Sequence, residues 1–234
     1  MHKIYVNLPL YIPNFAYRSL KKFKEFLRPN SKINLLGDRD IEWSWIASQM
    51  PKGFGKALDF GSGGSYLGLI AAEAGYDVTA IDQQPITWPY HHPNLHFIQG
   101  DILKLQLSDN SFDLIINCSV IEHVGLSGRY GVTEDFIDGD LDAMHQLKAL
   151  LKPSGIMLLT IPIGQDAVFP PLHRVYGKER LTLLLNNFLI KKEQYWIIDI
   201  TNKWVLVTKN EAINIVPKTN LYGLGCFQLA LKRN

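Results

Sequence analysis

The chain has 234 residues, of which 47% are hydrophobic and 20% are charged, and its formal net charge is +2. This length suits one α/β domain with extensions or two small domains, and the composition excludes a disordered or fibrous protein. The small net charge argues against a nucleic-acid-binding protein, because proteins that neutralise phosphates usually carry a strong excess of basic residues.

Residues 1–50 predict an N-terminal helical extension. Residues 15–27 form a helix candidate with apolar residues at helical spacing and lysines between them, and residues 41–50 form a second one with Asp38 or Asp40 as its N-cap. We expect the first helix to have a solvated face or to form a lid over a ligand; contact with an anionic membrane is the alternative. Trp43 and Trp45 either stack on a sugar or adenine or pack this extension on the core.

Residues 51–234 predict the main domain, in which short apolar strands alternate with helices. Such a pattern is typical of a parallel sheet covered on both faces, which the last two predicted strands would complete as antiparallel strands. The predicted strands are 56–60, 77–81, 95–99, 112–118, 156–161, 195–200, 203–207 and 225–231. The predicted helices are 65–74, 141–151 and 178–188.

A glycine-rich loop follows the first strand, with Gly61, Ser62 and Gly63 leading into a helix. The positive end of that helix favours a carboxylate or a phosphate. A dinucleotide motif needs a third glycine where Tyr66 stands, and Asp59 would repel a pyrophosphate but can accept from an ammonium group. The loop therefore argues against an NAD(P)-dependent enzyme and favours an amino-acid-like cofactor.

Acidic residues follow the next two strands. Asp82, followed by Gln83, ends the second strand, where a carboxylate can accept from ribose hydroxyls; the alternative is a solvated turn. After the third strand, Asp101 can accept from an adenine amino group and Ile102 can pack on the ring. The three acids in series, beginning with Asp59, favour a nucleoside site over ordinary turns.

The ordered motifs Leu-Asp-x-Gly-x-Gly, Ile-Asp, Gly-Asp-Ile, Phe-Asp-x-Ile, Glu-His-Val and Leu-Lys-Pro-x-Gly cover residues 56–163. In this order they resemble the class I S-adenosylmethionine (SAM)-dependent methyltransferase superfamily, although Ser65 stands where many members have a third glycine. The resemblance implies a Rossmann-like, doubly wound, mostly parallel seven-stranded sheet with an antiparallel C-terminal strand, and it implies that SAM is the cofactor. It implies methionine contacts from Asp59, Gly61, Ser62 and Gly63, ribose contacts from Asp82 and Gln83, adenine contacts from Asp101 and Ile102, and a position near the methionine end for Ser119.

A narrower resemblance rests on residues 122–126, 128–131, 138–141 and 173–177. These segments are similar to an uncharacterised methyltransferase-like family catalogued from nematode proteins, some of whose bacterial relatives are tied to surface polysaccharide or glycan synthesis. This resemblance implies a kind of protein and not a substrate. The ordered motifs, together with the loops that contain His, Arg and Tyr, lead us to expect O-methylation of a small or glycan-linked acceptor. The alternative is a catalytically silent SAM-binding partner in a glycan-assembly complex.

Two substrate loops, residues 120–140 and 164–180, contain the candidate catalytic residues. His173, His123 and Glu122 are candidate general bases, with a role in shaping the pocket as the alternative for Glu122 and His123. The acids near residue 140 predict a helix cap by Asp138 or Asp140 rather than a metal site. Candidate acceptor contacts, each otherwise solvated or capping, are Arg129, Tyr130, Arg174 and Tyr176.

The two cysteines, Cys118 and Cys226, are far apart and form no CxxC motif. We therefore expect two free thiols and no zinc site. The first 15 residues show no signal-peptide cleavage pattern, and no run of about 18 apolar residues occurs in the chain. These features predict a soluble, cytoplasmic protein without a transmembrane segment.

Overall fold

The computed structural model describes residues 37–130 and 132–232, which belong to one compact unit. The predicted helix 15–27, with its lid and membrane alternatives, lies outside the described residues. The helices are α1 (Asp38–Gln49), α2 (Leu67–Glu73), α3 (Gly139–Leu150), α4 (Lys178–Leu184) and α5 (Lys209–Ile213), with a 3₁₀ turn at Ile121–His123. The strands are β1 (Gly55–Phe60), β2 (Tyr76–Asp82), β3 (Leu95–Gln99), β4 (Phe112–Cys118), β5 (Leu151–Ile163), β6 (Ala167–Phe169), β7 (His173–Val175), β8 (Phe188–Ile198), β9 (Trp204–Val207) and β10 (Gly223–Leu231).

In the described part of the chain, the main sheet has eight strands in the order β3-β2-β1-β4-β5-β10-β8-β9. Strands β3, β2, β1, β4 and β5 are parallel, whereas β10 runs antiparallel to both β5 and β8. This arrangement confirms the Rossmann-like, mostly parallel fold with an antiparallel C-terminal strand. The sheet has eight strands rather than the seven of the predicted fold, and each of the eight predicted strand segments overlaps one of them.

The C-terminal region differs most from the sequence prediction. The predicted helix 178–188 ends at Leu184, and Phe188 already begins the long strand β8. Pairing with β10 along most of its length holds the polar stretch Lys191–Gln194 in a strand. Tertiary pairing therefore overrides a sequence that lacks strand character.

Helices cover both faces of the sheet. On one face, Ile41, Trp45 and Ile46 of α1 pack with α2 and the sheet, and on the other face α3 and α4 pack over a second apolar cluster. Helix α1, assigned above to an N-terminal extension, thus packs directly on the sheet. It begins at Asp38 after the N-cap Gly37, so the predicted side-chain cap by Asp38 or Asp40 is not formed.

The carboxyl ends of the parallel strands β1 to β4 meet at one edge of the sheet, where the predicted cofactor residues follow them. This is the edge at which open α/β sheets bind ligands. Within residues 37–130 and 132–232, the structure contains no helix with the length and apolar character that a membrane span requires.

Candidate functional site

A cavity of about 410 Å³ opens at the carboxyl edge of the sheet. The glycine loop after β1, the ends of β2, β3 and β4, the 3₁₀ turn and helix α1 all contribute to its walls. The predicted cofactor residues that line it are Asp59, Gly61, Ser62, Gly63, Asp82, Gln83, Asp101, Ile102 and Ser119. The sequence motifs therefore converge on one cavity large enough for a small-molecule ligand.

The glycine loop has a backbone that suits glycine at two positions. Gly61 and Gly63 have φ angles of 69° and 47°, in the left-handed region. A Cβ atom at Gly61 would lie 2.4 Å from the Val120 side chain, whereas one at Gly63 would meet only a backbone oxygen at 3.9 Å. Gly61 therefore allows close packing against the end of β4, and Gly63 leaves room for a ligand to approach the backbone.

Asp59 is a buried carboxylate on the cavity wall. Its Oδ2 atom has no hydrogen-bond partner of normal geometry among the described residues. Burial raises the pKa of Asp59 to about 7; the Gly68 backbone amide opposes this effect, and the nearby Asp82 carboxylate contributes to it. An unpaired buried acceptor is costly, so this position suits a cationic group such as the ammonium of an amino-acid-like ligand.

Asp82 and Asp101 end neighbouring strands and face the same cavity. The Asp82 carboxylate accepts from the Gly63 amide at 3.0 Å and from the Gln84 amide at 2.8 Å. Asp101 accepts from the Leu103 amide at 3.0 Å. These backbone bonds fix both carboxylates at the strand ends while leaving further lone pairs to accept from a nucleoside.

Helix α1 contributes Arg39 and Trp43 to the cavity. The Arg39 Nη1 atom lies 3.0 Å from the buried Glu42 carboxylate, and Ser119 donates to the same carboxylate. Burial raises the pKa of Glu42, although the Arg39 guanidinium opposes this effect. The Ser119 hydroxyl is thus held by α1. Arg39 and Glu42 were not predicted as site residues. Their only local signal in the sequence is the i, i+3 spacing of two opposite charges on a helix.

His123 lines the cavity next to Tyr130. Its Nδ1 atom lies 2.5 Å from the Leu172 carbonyl oxygen. Because a carbonyl only accepts, Nδ1 carries the proton and Nε2 is the basic nitrogen of the neutral ring. Burial lowers the pKa of His123 to about 4, and the Arg129 charge adds to this effect against the opposing Leu172 carbonyl.

The other two candidate bases do not line the cavity. Glu122 is buried, with Oε1 3.8 Å from the His123 Nε2 atom, and burial raises the pKa of Glu122 to about 8. His173 packs between the rings of Phe169 and Tyr222, at centroid distances of 5.7 and 5.1 Å. Of the three candidate bases, His123 is therefore the one that lines the cavity.

Arg174 and Tyr176 lie in the protein interior, in contrast to their predicted role as acceptor contacts. Arg174 donates to the carbonyl oxygens of Val124 at 2.6 Å and Ile137 at 3.1 Å. The Tyr176 hydroxyl donates to Asp140 at 3.0 Å. Together they anchor the loop that leads from His123 to α3. The sequence around Arg174 and Tyr176 is typical of an exposed loop, so it does not indicate that both side chains are buried.

Asp140 and Arg129 also differ from their predicted roles. Asp140 is fully buried and forms ion pairs with Arg174 and Arg180 instead of capping α3. Asp138 precedes α3 but makes no side-chain cap. Arg129 is exposed outside the cavity wall, with its guanidinium carbon 4.8 Å from the centroid of the Tyr130 ring. Of the four predicted acceptor contacts, Tyr130 alone lines the cavity.

Comparisons with known proteins agree with this geometry. A family profile described as "Caenorhabditis protein of unknown function, DUF268" matches residues 101–202. The chain is 28% identical over 167 residues to the ubiquinone biosynthesis O-methyltransferase of Haemophilus ducreyi, covering 63% of this chain and 64% of that protein. It is also 28% identical over 196 residues to the mitochondrial ubiquinone biosynthesis O-methyltransferase of Schizosaccharomyces pombe, covering 73% of this chain and 66% of that protein.

The chain thus spans just under two thirds of the length of these two curated relatives. Among solved structures, the Burkholderia thailandensis 1,6-didemethyltoxoflavin-N1-methyltransferase, with bound 1,6-didemethyltoxoflavin and S-adenosylhomocysteine (SAH), aligns with a TM-score of 0.56. That alignment covers 97% of this chain and 94% of the other, at 17% identity. The chain therefore has the fold of the class I SAM-dependent methyltransferases, and it is similar to the DUF268 family over residues 101–202.

Proposed function

We propose that the chain is a SAM-dependent methyltransferase that methylates a hydroxyl oxygen of a small or glycan-linked acceptor. One observation carries this proposal: a single cavity is lined by the acids Asp59, Asp82 and Asp101 and by the neutral imidazole of His123. The three carboxylates provide hydrogen-bond acceptors for a cationic nucleoside cofactor, and His123 provides a base in the same cavity. The O-methyltransferases among the relatives support oxygen as the acceptor atom.

The residues of the cavity fit SAM as the cofactor. The unpaired Asp59 carboxylate suits the ammonium group, and the loop Gly61, Ser62 and Gly63 suits the rest of the methionine part. When bound, SAM supplies an electrophilic methyl group on its sulfonium. The remaining proposed contacts are Asp82 and Gln83 to the ribose, Asp101 and Ile102 to the adenine, and Ser119 near the methionine end.

His123 is the proposed general base. The Leu172 carbonyl fixes the imidazole through Nδ1–H, so that Nε2 can accept the proton of the acceptor hydroxyl as its oxygen attacks the methyl carbon. Trp43 and Tyr130 offer aromatic surface for the acceptor, and Arg39 adds one positive charge at the same cavity. The protein contributes alignment and proton removal to an in-line displacement.

Transfer of a tritiated methyl group from SAM to a panel of phenols, hydroxy acids and saccharides tests this function. We expect label in at least one hydroxyl acceptor, together with one SAH formed per methyl transferred. SAH binding without transfer to any acceptor would favour the silent SAM-binding partner instead.

The free, buried thiols of Cys118 and Cys226 suit a reducing compartment, and we propose the cytoplasm as the place of the reaction.

A further inference from the structure

The connection between β2 and β3 is irregular. Residues 83–94, all of which the structure describes, contain neither a helix nor a strand. Parallel neighbouring strands are usually joined by a helix. Here Pro85, Pro89 and Pro93 lie within the connection, and proline disfavours a helix interior because it lacks an N–H donor. Residues 83–94 therefore connect β2 to β3 in an irregular conformation, and their side chains do not follow the spacing of a helix.

Two aromatic side chains of this segment hydrogen-bond to the glycine loop. The Trp88 indole Nε1 donates to the Gly63 carbonyl at 3.0 Å, and the Tyr90 hydroxyl donates to the Ser65 carbonyl at 2.7 Å. The Trp88 and Tyr90 rings stack with centroids 5.6 Å apart, and Tyr66 packs on Tyr90 at 5.1 Å. The half-buried rings of Trp88 and Tyr90 thus pack against the glycine loop, with the exposed Tyr66 ring on Tyr90.

Neither Trp88 nor Tyr90 lines the cavity, so neither is placed to touch a ligand there. Their effect is on the loop itself. The Gly63 amide donates to Asp82 while the Gly63 carbonyl accepts from Trp88, so both polar groups of this residue are held. Glycine loses more conformational entropy on ordering than any other residue, and a loop ordered beforehand binds its ligand more tightly.

We propose that Trp88 and Tyr90 are positioning residues that preorganise the glycine loop for the methionine part of SAM. This inference rests on the proposed function. It assigns the segment 83–94 a role in cofactor affinity, exerted through the backbone carbonyls of Gly63 and Ser65.

Titration calorimetry with SAH, using Trp88→Phe and Tyr90→Phe, tests the proposal. Each substitution keeps an aromatic ring and removes one donor. We expect the Kd for SAH to rise about three- to tenfold in each variant, and further in the double variant. In steady-state kinetics, the KM for SAM should rise in each variant relative to the wild type, while kcat at saturating SAM stays within about twofold of the wild-type value.

Tyr66→Phe is the matched control, because Tyr66 belongs to the same aromatic group but its hydroxyl has no hydrogen bond to a described residue. Its Kd should equal that of the wild type. Wild-type Kd values in both donor variants would overturn the positioning role, and Tyr90→Phe alone decides if Trp88→Phe does not fold. A wild-type chain that binds no SAH would instead overturn the proposed function itself.

Discussion

The imidazole Nδ1 atom of His123 lies 2.5 Å from the backbone carbonyl oxygen of Leu172. This contact joins the 3₁₀ turn after β4 to the segment between β6 and β7. It fixes the tautomer in which Nε2 is free to accept a proton. The two predicted substrate loops, residues 120–140 and 164–180, are therefore coupled at the one candidate base that lines the cavity.

His123→Ala should lower kcat by a factor of about 10² to 10⁴, because it removes the proposed base. The Kd for SAH should change little, since His123 is not among the proposed cofactor contacts. His173→Gln should keep most of the activity, because His173 does not line the cavity. Steady-state kinetics of both variants check this, with His145→Ala on the exposed face of α3 as control. The opposite ranking would assign the base to His173.

The affinity for SAH should rise with pH between about pH 6 and 8. Asp59 has a pKa of about 7 in the ligand-free protein, so below that pH a proton must leave before the carboxylate can pair with the ligand's ammonium group. Affinity should fall by up to about tenfold per pH unit below pH 7. Calorimetry across this range measures the slope. Asp59→Asn should bind more weakly and without this slope, and a retained slope would assign it to another group.

Alanine at the two left-handed glycines should affect stability unequally. Gly63→Ala should cost about 1–2 kcal/mol of unfolding free energy, from the positive φ alone. Gly61→Ala should cost about 2–4 kcal/mol, because its Cβ would also lie 2.4 Å from Val120. Urea unfolding of the ligand-free protein compares them. Equal costs would show that Val120 moves away freely.

Arg174→Met should destabilise the protein by about 2–4 kcal/mol. It leaves the Val124 and Ile137 carbonyls without this donor and removes one of the two arginines paired with the buried Asp140. Arg129→Met, at an exposed position, should cost less than about 0.5 kcal/mol. Urea unfolding measures both. Similar values for the two variants would contradict the role of Arg174 as an anchor of the loop.

Much of the fold was predictable from the sequence because its signals are local. Strands β1 and β4 are short apolar runs, and the predicted cofactor residues lie at or just after the ends of strands, where the topology of a parallel sheet brings them together. The positions of the glycine loop and of Asp82 could therefore be predicted without knowledge of any distant contact. The same reasoning identified the carboxyl edge of the sheet as the site.

The remaining features depend on contacts between distant segments. Ser119 bonds to Glu42, and Arg174 bonds to the carbonyl of Val124, although each pair is far apart in sequence. A His-Arg-x-Tyr segment looks exposed and reactive in isolation. In the folded chain, Arg174 and Tyr176 are both buried and both contact Asp140, which the local sequence does not indicate.

Calorimetric titration of SAH and NAD⁺ into the purified chain and its Asp82→Ala variant tests the central claim most directly. Asp82 lines the cavity and orders the glycine loop through Gly63. We predict saturable binding of one SAH per chain, at least about tenfold weaker binding to Asp82→Ala, and no binding of NAD⁺. Binding of NAD⁺ but not SAH, or equal SAH affinity in both proteins, would contradict a SAM site in this cavity.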